Sequence, residues 1–185
     1  MRQRLADLLL DPVYARMHHQ LGTTLSRAET KADSALANLQ RQLVEVNQAI
    51  ADMEDRAARD PNGKPVFRYA DGRVFYADGS EVPDEIAEGI VWPADAPSAE
   101  DYFVLHTHLD QIEELIMEWD SYRNEVLGPI RDRYEDEDNP FQNPGALKDA
   151  LDDIEQHRPS SVSIETSAPE EAVLSKKPIA FPDFN

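Results

Sequence analysis

"LANLQRQLVEVNQAIADMEDRA", residues 36–57, places Leu36, Leu39, Leu43, Val46, Ile50, Met53 and Ala57 at spacings that alternate between 3 and 4. A 3.5-residue period held over three heptads gives a helix one narrow apolar seam, the pattern that packs knobs into holes against a second helix. The chain supplies a matching run. Leu105, Leu109, Ile112, Ile116, Trp119, Arg123, Val126 and Ile130 repeat in the same way, with Arg123 the one departure from apolar character. Folding one run back on the other sets Leu39 against Trp119, Leu43 against Ile116, Val46 against Ile112, Ile50 against Leu109 and Met53 against Leu105, with Glu54 near His106. The expected fold is mainly α, a long antiparallel coiled-coil helical hairpin.

Boundary signals frame both runs. Asp11 followed by Pro12 is an N-cap with proline at the first helical position, and Val13, Met17, Leu21, Leu25, Ala28 and Ala32 continue a helical stripe that Gly22 weakens. Pro61 and Gly63 in "DPNG" stop the first helix. Ser98, with Asp101 three residues later, marks the start of the second helix in the manner of a capping box. Gly128-Pro129 predicts a kink, because proline removes an amide donor and clashes with the preceding turn.

About 38 residues separate the two helices, too many for a bare turn. Within them "VFRY", "RVFY" and "SEV" are short β-favouring runs separated by Asp71-Gly72 and Asp78-Gly79, and Asp-Gly supplies the positive φ of two-residue hairpin turns. The insert, at about 64–83, reads as a small β-meander at the tip, with Ile86, Ile90, Val91 and Trp92 available to cover it. Tyr-Ala-Asp-Gly occurs twice there, which makes Tyr69, Phe75 and Tyr76 candidates for a partner-binding surface; two copies are too few for a repeat array.

Residues 1–135 thus form the hairpin with its insert. Residues 136–158 read as an acidic linker and a short amphipathic helix, with Asn143-Pro144 at its start and Leu147, Leu151 and Ile154 on one face. Residues 159–185 have the Ser, Pro and Glu content of a flexible tail. Its last stretch, "PIAFPDFN", gathers Phe181 and Phe184 between prolines, a composition that docks into grooves as an extended peptide.

Charge narrows the function classes. The formal net charge is -19, and residues 98–135 carry 3 Lys/Arg against 10 Asp/Glu. That balance argues against direct phosphate-backbone binding, which needs cations to displace counterions, and favours a protein partner, one that is basic if charge decides. Glu113, Glu114, Glu118 and Asp120 are the candidate contacts on the acidic helix. The chain has no cysteine, which suits a reducing compartment and the cytoplasm. The N-terminal apolar run is short and broken by Asp7, so neither a signal peptide nor a membrane span is expected.

Chemistry-bearing motifs are missing. No nucleophile elbow, phosphate loop or dinucleotide fingerprint occurs. His106 and His108 are two apart and diverge on a helix, whereas helical metal pairs are four apart; "YEDEDN" lacks the glycine and closing glutamate of a calcium loop. No catalytic residue, cofactor or metal is therefore assigned. The expected function is a non-enzymatic acidic protein-interaction module, an assembly adaptor or an inhibitor of a partner protein. A nucleic-acid-mimicking inhibitor of a DNA- or RNA-binding protein is the alternative. The order helix, β-hairpins, helix is also similar to that of the prefoldin subunits, which implies a holdase chaperone. Homo-oligomerisation would cover the stripe Leu5, Leu8, Leu9, Val13, Met17 and Leu21 together with Tyr102, Phe103 and Tyr134.

Overall fold

The computed structural model describes residues 11–160, and Phe181, Phe184, Leu5, Leu8, Leu9 and nearly all of the expected tail lie outside them. The chain is mainly helical with one small antiparallel sheet: α1 Pro12–Arg56, β1 Ala58–Arg59, β2 Pro65–Arg68, β3 Val74–Tyr76, α2 Asp84–Ala87, α3 Ala99–Ser121, a π-helical segment Tyr122–Leu127, α4 Gly128–Glu135 and α5 Pro144–Gln156. It divides into two compact units, and the division falls within α1 and α3. The described part of one comprises residues 11–40 with 114–160, that of the other residues 41–113.

In the first unit Asp11 caps α1, its Oδ1 accepting from the amides of Val13 (2.8 Å) and Tyr14 (3.3 Å). The buried stripe begins at Tyr14 rather than at Val13, which is 47% exposed. Tyr14, Leu21, Leu25, Ala32, Ala35, Leu36 and Leu39 follow it inward. Tyr14 is tied down at its far end as well, its hydroxyl donating to Phe141 O at 2.7 Å. Leu21 and Tyr14 therefore find their cover within the chain.

Where Gly128-Pro129 predicts a kink, the helix carries a π-helical turn, Tyr122–Leu127. Pro129 has no N–H, and its ring would press on the carbonyl of the residue four before it. The helix meets this by widening one turn, with Gly128 N–H donating to Arg123 O, five residues back. The wider turn shifts the seam. Tyr122 and Leu127 are buried there while Arg123 lies at the surface, paired with Asp33 at 3.1 Å. Tyr122 reaches α5, donating to Ile154 O at 2.8 Å. That helix starts where expected, with Asn143 Oδ1 accepting from Ala146 N–H (3.0 Å), and it buries Leu147, Ala150 and Ile154. Leu151 is only half-buried.

Gly22, expected to weaken α1, makes room for a ring. A Cβ added there would fall 2.8 Å from Tyr134 Cζ and closer still to the hydroxyl oxygen. Further along, Arg131 forks onto both carboxylate oxygens of Glu29, a bidentate geometry stronger than a single ion pair.

In the second unit the seam residues Val46, Ile50, Leu105 and Ile112 are buried. Glu54 accepts from the Tyr102 hydroxyl at 2.7 Å, one turn before the expected neighbour His106. Gln42, 3% exposed, has no hydrogen-bond partner for either amide atom among the described residues. β1 was not expected. The sheet order is β1-β2-β3, with Ala58 opposite Val66 and Phe67 opposite Phe75, so the third strand comes from the end of α1. Residues 80–82, expected to supply it, make only the isolated bridge Phe75 to Glu81.

Two outcomes follow from this packing. Gly→Ala inside a helix ordinarily gains about 1 kcal/mol, but overpacking against a ring costs about 1–3 kcal/mol. Gly22→Ala is therefore expected to lower stability in the parent chain and to raise it in a Tyr134→Ala background, as read by urea denaturation; stabilisation in both backgrounds would refute the close contact. A buried amide without partners costs about 1–3 kcal/mol, so Gln42→Met should raise the unfolding midpoint, and an unchanged or lower midpoint counts against that cost.

Candidate functional site

The sheet is built from one local device used three times. Asp60 N–H donates to Lys64 O and Gly63 N–H to Asp60 O; Tyr69 pairs with Arg73 and Gly72 in the same way, and Tyr76 with Ser80 and Gly79, all at 2.9–3.0 Å. Each loop therefore holds three residues, not two, and closes on a glycine with φ of +82°, +95° and +81°, a region that side chains resist. Asp71 and Asp78 lock their loops by accepting from the amides of Arg73 (3.0 Å) and Ser80 (2.9 Å). In the first loop the lock is Asp60 itself, which accepts from the amides of Asn62 and Lys64 at 2.8 Å each.

Strand alternation then sorts the side chains. On one face Ala58, Val66 and Val74 form a buried cluster with Val82 and Ile90, against which Tyr76, Ile86, Ala87 and Trp92 pack. Val91, expected in this cover, is 86% exposed. On the other face Phe67 stacks on Tyr102 with centroids 3.8 Å apart, and Tyr69, Phe75 and Phe103 form a ring cluster with separations of 5.1–6.4 Å.

Of the candidate residues, Tyr69 and Phe75 are thus brought together, with Arg73 over both rings at 5.5 and 5.6 Å. Tyr76 belongs to the opposite face, where its ring lies under Lys64 and its hydroxyl donates to Asp60 at 3.4 Å. The odd separation of the two tyrosines puts them on opposite sides of the sheet. Glu113, in this unit, is exposed, as are Glu114, Glu118 and Asp120 in the other; none enters an ion pair among the described residues.

A groove of about 490 Å³ opens beside the second loop. One wall is Arg68, Tyr69, Ala70 and Gly72, the other runs from Trp92 through Pro93 and Pro97 to Ser98 and Glu100. Its walls are fastened by a parallel bridge between Arg68 and Ser98 and by Ala70 N–H donating to Glu100 Oε1 at 2.8 Å. Ser98 Oγ accepts from Asp101 N–H (3.1 Å) and starts α3. The exposed Arg68 lies over the Trp92 ring at 4.6 Å and enters no ion pair among the described residues. From the sequence Trp92 is expected only as cover for the meander. The legible signal was the pair of prolines beside a tryptophan, which holds a segment extended.

Among the described residues no group of three or more His, Cys, Asp or Glu side chains is placed to hold a metal ion. The His106 ring lies tilted against that of Tyr102, with centroids 4.7 Å apart, and burial pushes the buried His108 below the usual histidine range. No helix among the described residues is long and apolar enough to cross a membrane. No protein-family model matches the chain, and no curated protein or solved structure matches it. The likeness to prefoldin stays at the level of element order.

The first loop has a pH signature. Burial raises the Asp60 carboxyl, but the amides of Lys64 and Asn62, the Asn62 side chain and the Tyr76 hydroxyl outweigh it and hold the group below the usual range. A depressed folded value contributes stability above the ordinary carboxylate range that is lost as pH falls through the folded value. Asp60→Asn should therefore melt below the parent at neutral pH, and the gap should close below about pH 4. A gap that stays constant with pH would count against the assignment.

Proposed function

We propose that this chain is a non-enzymatic protein-interaction module, an adaptor or inhibitor that engages its partner through the groove between Arg68–Gly72 and Trp92–Glu100. The observation that carries this reading is an arginine laid on a tryptophan beside proline and tyrosine faces, with no carboxylate among the described residues paired to it. The lining suits contact rather than reaction. Its one aliphatic hydroxyl, Ser98, accepts a helix amide, and its one carboxylate, Glu100, accepts a loop amide. Aromatic-lined grooves of this kind take extended peptides.

Within each unit the two helical stretches pack as an antiparallel coiled-coil hairpin. In the first, Gly22 lies on Tyr134, Glu29 pairs with Arg131 and Asp33 with Arg123, so one number rises as the other falls. In the second, Glu54 and Tyr102 fit the same order. A cytoplasmic site suits a chain without cysteine.

The second reading, nucleic-acid mimicry, is favoured by the exposed Glu114, Glu118 and Asp120. The two separate on one experiment, capture of host proteins by full-length chain, by Arg68→Ala and by Glu114→Gln/Glu118→Gln. Groove recognition is expected to lose its partner in the arginine variant and keep it in the glutamine variant. Mimicry would show the reverse, with binding that fails between roughly 50 and 200 mM salt and is displaced by duplex DNA.

A further inference from the structure

Resting on the groove as a binding surface, we propose that its occupant is a segment of the chain itself, residues 176–185, "KKPIAFPDFN". These residues lie outside those the structure describes.

Its electrostatics narrow the ligand first. Residues 41–113 carry six Lys/Arg against sixteen Asp/Glu, so a generally acidic peptide is repelled. Yet the groove holds one exposed cation, Arg68, whose face is spent on Trp92 and whose N–H edges remain for a single carboxylate. Arg73, the other cation nearby, is already paired with Asp71 at 2.8 Å. The matching ligand therefore has one acid and otherwise neutral or basic character. Segment 176–185 has that composition: Asp183 is its only acidic side chain, and Lys176 and Lys177 are suited to the exposed Asp95 and Asp101 flanking the groove.

Shape narrows it further. Tyr69, Trp92, Pro93 and Pro97 offer flat apolar faces, and Phe181, Pro182 and Phe184 are the side chains that fill such faces. Pro178 and Pro182 bias the residues before them to extended backbone, which lowers the entropy lost on docking. A groove of this volume, within the range of small-ligand sites, holds roughly four residues, the span Phe181–Phe184. Fifteen residues separate Ser160 from Lys176, a tether of up to about 50 Å. A partner must then displace this segment, and a partner peptide of the same chemistry competes for the same arginine.

The test is charge exchange in the full-length protein, read by hydrogen exchange at residues 69–72 and 92–98 with residues 147–154 as a folding control. Arg68→Glu alone and Asp183→Lys alone are each expected to speed exchange at the groove, and the double variant to restore protection. Added synthetic KKPIAFPDFN, amidated at its C-terminus so that Asp183 supplies its one carboxylate, should restore protection saturably to the Asp183→Lys chain, and the amidated Asp183→Asn peptide should bind about tenfold or more weakly, the value of one charge-assisted bond. Failure of the double variant to recover, or equal binding of the two peptides, overturns the assignment. If groove exchange ignores every change at 183 while Arg68→Ala still abolishes capture of a partner, the groove reading stands and the segment is not its ligand.

Discussion

Three reversals of the chain within twenty-one residues must satisfy their own backbone groups, and that constraint organises the β-module. Each is met by a loop of three residues closed on a glycine near φ +80° to +95°. The strands between them are only three or four residues long, too short to be stable on ladder hydrogen bonds alone. Because the loops set the register, Phe67 meets Phe75 and Arg68 meets Val74. Arg68 then emerges on the face where Trp92 packs, and the groove exists as a by-product of that register. A slip of one residue would send Arg68 to the side of Tyr102.

A small number of buried hydroxyl contacts add direction to the apolar seams that hold the helical parts. Tyr14, Tyr102 and Tyr122 are almost fully buried, and each donates at 2.7–2.8 Å to a distant acceptor. Burial raises the ionisation of all three phenols well clear of neutral pH, so these donors persist. Each such bond is worth about 1 kcal/mol, whereas its loss with the partner left buried costs about 1–3 kcal/mol. The exposed pairs Arg73–Asp71 and Arg123–Asp33 belong to a class worth about 0–1 kcal/mol. Tyr122 thus fixes α5 at Ile154, beside the burial of Leu147, Ala150 and Ile154.

Helix existence, the caps at Asp11, Ser98 and Asn143, and the meander were legible in the sequence because each depends on residues within a turn of one another. The errors came where a local rule met a longer-range demand. Val13 and Tyr14 are both apolar candidates for the first stripe position, and only Phe141, far along the chain, selects Tyr14. Pro129 predicts disruption, but the π-helical turn that buries Tyr122 and Leu127 before it leaves no local trace in the sequence. "DPNGK" was read as a helix stop, although it obeys the same turn chemistry as the two Tyr-Ala-Asp-Gly loops; proline in place of alanine and asparagine in place of aspartate hid the third copy. Of the site, Tyr69 was visible and its neighbours Arg68 and Trp92 were not, since a cation–aromatic pair 24 residues apart leaves no periodic trace.

The charge pattern makes that pair more informative than its size suggests. In a chain of formal charge -19 every arginine has carboxylates to choose from, yet Lys64, Arg68 and Arg73, the three cations between residues 64 and 97, all lie over aromatic rings. A ring holds a cation by its quadrupole and leaves its net charge uncompensated, whereas a carboxylate neutralises it. Arg73 has both, and Lys64 lies over Tyr76 on the far side from the Tyr69 cluster. Among the described residues Arg68 is positioned by a ring beside a cavity and has no carboxylate partner. Within an acidic unit it is the point at which a negative group is locally favoured, so recognition there rests on one charge in one place rather than on the overall field.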